Sequence, residues 1–244
     1  MLAGRVRVDG RISDKPGMPV DDQRQLEVEQ GPEFVSRGGL KLSNALDAFG
    51  VEVTGARALD LGASTGGFTD CLLRRGAREV IALDVGYGQL DWRLRNDSRV
   101  HVMERTNARN LEPGILSYRP NLVVCDLAFI STALVWAAIA PCLAEQWRAL
   151  VMVKPQFEAG RAHVGTSGVV RDPLIRAAAV RAVADAIERH GGMVCDAADS
   201  GVPGPKGNRE VFLMACTSGG TVAVPDIDER IADAVAAGHA VETQ

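Results

Sequence analysis

The chain has 244 residues, enough for one large domain with a substantial buried core and a small appendage. Apolar residues make up 46% and charged residues 24%, which excludes the compositional signature of disorder. The formal net charge of −4 excludes a protein that holds phosphates over its whole surface, so any nucleic-acid contact has to be local.

From Met1 to about Glu29 the pattern is short and β-like. Arg5-Val6-Arg7-Val8 alternates, Asp9-Gly10 and Pro16-Gly17 are turn signals, and Gln25-Leu26-Glu27-Val28 alternates again. So few strands make no core of their own. Gly38-Gly39 interrupts the pattern, and Leu42, Ala45, Leu46 and Phe49 then share one face of a short helix over 40–49. Strands follow at 58–61, 80–85, 100–103, 122–125 and 149–153. Between and after them come a helix following Gly67, one from about Ala133 to Gln146 and a long one from Pro173 to about His190. Strands separated by helices predict an α/β fold with a mostly parallel sheet covered on both faces. The last two strands, 193–197 and 210–216, are joined by the loop 201–208 without a helix, which predicts one antiparallel strand at the end of the sheet. A terminal helix over 227–236 and a polar tail complete the chain.

The segment Leu59-Asp60-Leu61-Gly62-Ala63-Ser64-Thr65-Gly66-Gly67-Phe68 runs from a strand through a glycine-rich turn into a helix. Glycines let a backbone approach a ligand closely, and a helix start offers unpaired amides. A turn of this kind also serves merely to cap a βα unit, but Asp84 ends the next strand about 20 residues on, where an acid accepts hydrogen bonds from both hydroxyls of an adenosine ribose. NAD fits that spacing equally well. The turn departs from G-x-G-x-x-G, however, since Ser64 occupies the third position and Gly66 and Gly67 follow it, which favours a nucleoside without a pyrophosphate.

Asp126 and Lys154 each follow an apolar strand, at the edge where open α/β sheets bind ligands. Taken alone, Lys154 reads as a strand-end lysine turning to solvent before Pro155. Paired with Asp126 on the ligand edge, it is a candidate base. The cysteines, Cys71, Cys125, Cys142, Cys195 and Cys216, are scattered singly, as free thiols in a reducing compartment are. His101, His163, His190 and His239 do not cluster, so no metal is expected. No apolar run approaches the roughly 20 residues of a membrane span. The N-terminus also lacks a leader pattern, so a cytoplasmic protein with no membrane contact is expected.

Five segments resemble the TlyA, or hemolysin A, group of the FtsJ-like RNA ribose methyltransferases. They are Val35-Ser36-Arg37-Gly38-Gly39-Leu40-Lys41-Leu42, Gly62-Ala63-Ser64-Thr65-Gly66-Gly67-Phe68-Thr69-Asp70-Cys71, Asp84-Val85-Gly86-Tyr87-Gly88-Gln89-Leu90, Lys154-Pro155-Gln156-Phe157-Glu158 and Gly207-Asn208-Arg209-Glu210. The resemblance implies a Rossmann-like methyltransferase fold with a seven-stranded sheet over 31–244 and a partial S4-like RNA-binding segment over 1–30. It implies S-adenosylmethionine as cofactor, held by Gly62, Ser64, Gly66, Gly67, Phe68 and Asp84, with Asn107 near the adenine where the wider group often carries an acid. It further implies a catalytic tetrad of Lys41, Asp126, Lys154 and Glu210, acting on a cytidine 2′-hydroxyl in 16S ribosomal RNA, 23S ribosomal RNA or both, as free RNA or in ribosomal subunits. In that tetrad Lys154 is either the base or the group that steers the hydroxyl, with Asp126 orienting it and Glu210 holding Lys41. The family usually begins with a complete S4 domain, of which only the second half is recognisable here.

Tyr87 and Trp92 are of a type that stacks bases, whereas Trp136 and Trp147 are expected in the core. Arg37, Arg105, Lys206 and Arg209 lie in or near loops flanking the tetrad, where cations contact phosphates or simply remain solvated. Two other readings compete. A nicotinamide-dependent oxidoreductase would share the sheet, the turn and Asp84, and a membrane-active hemolysin would need an insertion segment that the sequence does not contain.

Overall fold

The computed structural model describes residues 6–15, 17–28, 33–217 and 226–240. The chain divides into two compact units, residues 1–33 and 34–244. The first contains a three-stranded antiparallel sheet in the order β2-β1-β3, from β1 (Val6–Val8), β2 (Arg11–Ile12) and β3 (Leu26–Val28). Asp9 and Gly10 both take positive φ, at 50° and 75°, which gives a two-residue turn whose twist matches the strands it joins. The Asp9 carboxylate also accepts from the Gln25 backbone N–H at 3.0 Å and from Arg24 at 2.8 Å, tying β3 to that turn. Arg5 and Pro16, which the sequence places in a strand and a turn, lie outside the described residues.

The second unit is built on a seven-stranded sheet in the order β6-β5-β4-β7-β8-β10-β9. Its strands are β4 (Arg57–Leu61), β5 (Glu79–Leu83), β6 (Val100–Met103), β7 (Leu122–Cys125), β8 (Arg148–Val153), β9 (Gly192–Asp199) and β10 (Val211–Thr217). The β6-β5-β4-β7-β8 part is parallel, as the alternation of strands and helices predicts. The antiparallel strand is β10, and it is not at the end of the sheet: it pairs with β8 on one side and β9 on the other, leaving β9 at the edge. The reason is polarity. Phe212 and Leu213 are buried on opposite faces of β10, so this strand needs neighbours on both sides. β9 instead carries Asp196 and Asp199, and charges on an edge strand discourage pairing with another chain.

Helices α1 (Arg37–Ala48) and α2 (Gly67–Arg74) cover one face, burying Leu42, Leu46, Phe68 and Leu72 against Val80, Val124 and Phe212. Helices α4 (Thr132–Ile139), α6 (Pro173–Arg189) and α7 (Ile227–Ala240) cover the other. Trp136 and Trp147 meet there with ring centroids 5.8 Å apart, in the core as expected. Two short helices, α3 (Trp92–Arg95) and α5 (Pro155–Glu158), follow β5 and β8.

Two helix boundaries differ from the sequence reading. Gly38 and Gly39 form the first turn of α1 rather than a break before it, because the Phe34 ring occupies the space a Cβ on Gly39 would need. At the other boundary α4 stops at Ile139, short of the expected Gln146, where Pro141 turns the chain into a single 3-10 turn. Nor are the cysteines all isolated. The β9–β10 pairing brings Cys195 and Cys216 to a Sγ–Sγ distance of 3.2 Å, and burial pushes the Cys195 thiol up to about 12. Among the described residues no helix is long and apolar enough to cross a membrane.

Candidate functional site

The strand order reverses between β4 and β7, which opens a crevice at their C-terminal ends, where open α/β sheets hold ligands. Gly62 leaves β4 with φ at 86°, and its N–H and that of Ala63 both donate to the Leu83 carbonyl. A Cβ on Gly62 would stand 2.5 Å from the Asp126 carbonyl oxygen, so only glycine lets the turn lie against the end of β7. Ser64 follows with φ at 49°, held by a bond from its N–H to Asp84 Oδ2 at 2.8 Å. Asp84 Oδ1 accepts from the Gly86 N–H at 2.6 Å. One carboxylate thus fixes the turns after both β4 and β5, and each of its oxygens retains capacity for a further donor.

A cavity of about 550 Å³ opens here, lined by Gly62, Ser64, Asp84 and Asn107 together with Asp126 and Lys154. Asn107 Oδ1 accepts from the Arg109 N–H at 3.0 Å and so caps a short 3-10 turn on the cavity wall. A second cleft of about 390 Å³ adjoins the first across the Gly62–Ser64 turn; Gly67, Phe68, Lys41 and Glu210 line it, and Asp126 and Lys154 border both. Phe68 is mostly committed to the core, stacked 6.1 Å from Phe212. Gly66 lines neither space. Its φ of 97° and the Leu90 and Leu94 side chains behind it explain the glycine as a packing requirement of α3. Gly67 likewise lets α2 approach Ser36 at the start of α1.

The four tetrad side chains come together from distant elements. Lys41, on α1, is 7% exposed and forms an ion pair with Glu210, 1% exposed, just before β10. The Lys154 Nζ lies 2.5 Å from Asp126 Oδ1, with side chains 14% and 25% exposed. Charges this deep require partners, and here each cation has a carboxylate. Glu210 Oε1 remains buried with no hydrogen-bond partner among the described residues, against Gly204.

Behind the turn, Asp60 is fully buried on β4, and its Oδ2 accepts from the Thr69 hydroxyl at 2.6 Å. Burial pushes its carboxyl up to about 7, against the Thr69 bond, which lowers it. The folded protein therefore binds this proton more tightly than the unfolded chain, and the group's contribution to stability falls as pH rises from about 4 to about 7. Asp60→Asn, which keeps an acceptor for Thr69, is expected to raise the unfolding free energy from urea titration at about pH 8 by up to a few kcal/mol, and to change it little at about pH 4. Parallel pH profiles for the two proteins would contradict the assignment.

The sequence reading missed Phe129. This residue stands on the lip of the first cavity at 92% exposure, with φ at 65°, a conformation that costs a residue with a Cβ about 1–2 kcal/mol. Its ring centroid is 5.4 Å from that of Phe157. An exposed ring held in a strained backbone at a cavity mouth offers a face for a nucleic-acid base. No periodicity marks it, because a single aromatic between a strand and a helix reads as core. Of the expected surface groups, Tyr87 and Trp92 are exposed, and the Arg105 guanidinium lies 4.1 Å from the Tyr87 ring centroid. Arg37 borders the second cleft.

The FtsJ-like methyltransferase family profile matches residues 34–216. Over 217 residues the chain is 51% identical to the 16S/23S rRNA (cytidine-2′-O)-methyltransferase TlyA of Mycobacterium tuberculosis, covering 88% of this chain and 81% of that one. It is 39% identical over 215 residues to a protein named hemolysin A in Brachyspira hyodysenteriae, covering 86% and 88%. Among solved structures, an S-adenosylmethionine-dependent methyltransferase from Mesorhizobium loti matches at 17% identity with a TM-score of 0.53, covering 72% of this chain and 97% of that one, a likeness of fold.

Proposed function

The chain belongs to the FtsJ-like methyltransferase family, and from that premise we propose that it transfers the methyl group of S-adenosylmethionine to the 2′-hydroxyl of a cytidine in ribosomal RNA. The observation that carries the reading is the Lys154–Asp126 pair at the border of two cavities, one walled by Asp84 and the other by Lys41 and Glu210. The residues suit the cofactor. Asp84 has acceptor capacity for ribose hydroxyls, Asn107 an amide for a purine edge, and Gly62 the absence of a Cβ. When bound, the cofactor supplies a methyl group on a sulfonium, activated for in-line displacement.

The remaining work falls to the chain's own groups. A ribose hydroxyl is a poor nucleophile until its proton leaves, so a group within hydrogen-bond reach has to accept or direct that proton. Lys154 takes this role, and its ion pair with Asp126 fixes where Nζ points. Glu210 holds Lys41 in the same cleft. Phe129 supplies a stacking face for a base, and the Arg105–Tyr87 pair a cationic aromatic rim. We read residues 1–30 as a partial S4-like RNA-binding segment; Arg7 and Arg11 on its small sheet are cations that it can offer to phosphates. An RNA substrate and free cysteines favour a cytoplasmic setting.

Transfer of labelled methyl from S-adenosylmethionine to unmodified ribosomal subunits, with free ribosomal RNA in parallel, tests the proposal. Label entering the RNA of at least one of these substrates is the expected result. A protein that binds the cofactor yet labels none of them would contradict it.

A further inference from the structure

The loop that leaves β7 carries Asp126 and Phe129 and ends at Ser131, the residue before α4. Lys154 leaves β8 and is followed at once by α5. Ser131 stands at the N-cap of α4, but its hydroxyl does not cap the helix. It donates instead to Glu158 Oε2 at 2.6 Å, and the Thr132 N–H donates to Glu158 Oε1 at 2.6 Å. A carboxylate from a separate chain segment thus serves as the cap of α4, where the unpaired amides and the helix dipole both favour a negative group. Phe157, next to Glu158, touches the Phe129 ring. The two segments bearing Asp126 and Lys154 are therefore joined at their far ends as well as by the catalytic ion pair itself.

We propose that Glu158 is a positioning residue for methyl transfer, whose carboxylate locks the Asp126–Phe129 loop to α5 and thereby sets the Asp126–Lys154 pair and the aromatic lip. Burial raises the carboxyl above its ordinary value while the Ser131 and Thr132 donors lower it, so the donors offset part of what burying the ionised group costs. The inference rests on the methyltransferase reading for its consequence, but the clamp itself is measurable without turnover. A carboxylate that only stabilises α4 would leave the reaction rate of the folded protein unchanged. One that positions the pair would not, because displacing reacting groups by about 1 Å can cost on the order of 100-fold.

The experiment combines hydrogen exchange over residues 127–135 with single-turnover methylation of unmodified ribosomal subunits at saturating S-adenosylmethionine. In Glu158→Ala, exchange should rise about fivefold or more, and the methylation rate at saturating cofactor should fall about 10- to 100-fold. Glu158→Gln should stay close to the unaltered protein, since its amide can accept from the Thr132 N–H and donate to the Ser131 hydroxyl. Ser131→Ala, which removes one of the two bonds, should move both readouts in the same direction by less, and it stands in if Glu158→Ala does not fold. Unchanged exchange in these alanine variants, raised exchange with an unchanged rate, or a folded Glu158→Gln as impaired as Glu158→Ala would each overturn the proposal. If the unaltered protein transfers no methyl group, the function reading fails, and the exchange arm alone decides whether Glu158 orders the loop.

Discussion

Lys154→Ala is expected to keep the fold and the cofactor affinity while losing single-turnover methylation by at least about 100-fold, the scale of a removed general base. The geometry separates the two properties. Asp84, Ser64 and Gly62 shape the first cavity, where we propose that the cofactor binds, through backbone and carboxylate bonds that do not involve the lysine, whereas Lys154 is the cation that borders both cavities. Removing the lysine side chain opens space beside Asp126, whose side chain is 25% exposed, so that water can take the place of Nζ and the folded state should survive. Lys154→Arg refines the result. Arginine retains the charge and pairs well with a carboxylate, but it does not release its proton in a protein. A near-normal rate for Lys154→Arg would assign the residue to steering the hydroxyl, a large loss would assign it to accepting the proton, and a near-normal rate for Lys154→Ala would remove the site altogether.

The second large effect is expected at Asp84. Asp84→Ala should weaken S-adenosylmethionine binding by roughly tenfold to more than a hundredfold, the equivalent of about 1.5–3 kcal/mol for a lost charge-assisted bond. The structure adds a second reason for the loss. The same carboxylate holds the Ser64 and Gly86 N–H groups, so its removal frees a turn in which Ser64 keeps an unfavourable positive φ. Asp84→Asn retains an acceptor for one of these amides and should fall between the two. Titration calorimetry on folded variants measures both, and an unchanged affinity in Asp84→Ala would refute this role.

Much of the architecture was legible because strands buried on both faces are short apolar runs and the helices between them have a different period. That logic identifies β4, β5, β7 and β8 and predicts the parallel sheet. It fails where neighbours in space decide. The place of β10 between β8 and β9 follows from the burial of Phe212 and Leu213, and the start of α1 from the fit of Gly39 against Phe34. The candidate site divides in the same way. Asp84, Asp126 and Lys154 can be found from strand ends and spacing, since the ligand edge of such a sheet is known once the strands are. Lys41 and Glu210 are separated by 169 positions, and only the family resemblance joined them before their ion pair could be seen. Gly66 is a cofactor contact only by the family resemblance, and the structure adds a packing reason for its glycine, since a Cβ there would meet Leu90 and Leu94. Phe129 left no sequence signal, and Glu158 stood only at the end of a family segment with no role attached, because their roles depend on exposure and on a bond between separate segments.

The identity of the methylated atom is the most direct test of the central claim. Ribosomal subunits labelled by the protein with S-adenosylmethionine can be digested completely to nucleosides and separated by mass. The account predicts that the label is recovered as 2′-O-methylcytidine and that the adjoining linkage resists alkaline cleavage, because a methylated 2′-oxygen cannot attack its phosphate. Recovery of the label on a base, with alkaline cleavage unimpeded, would contradict it.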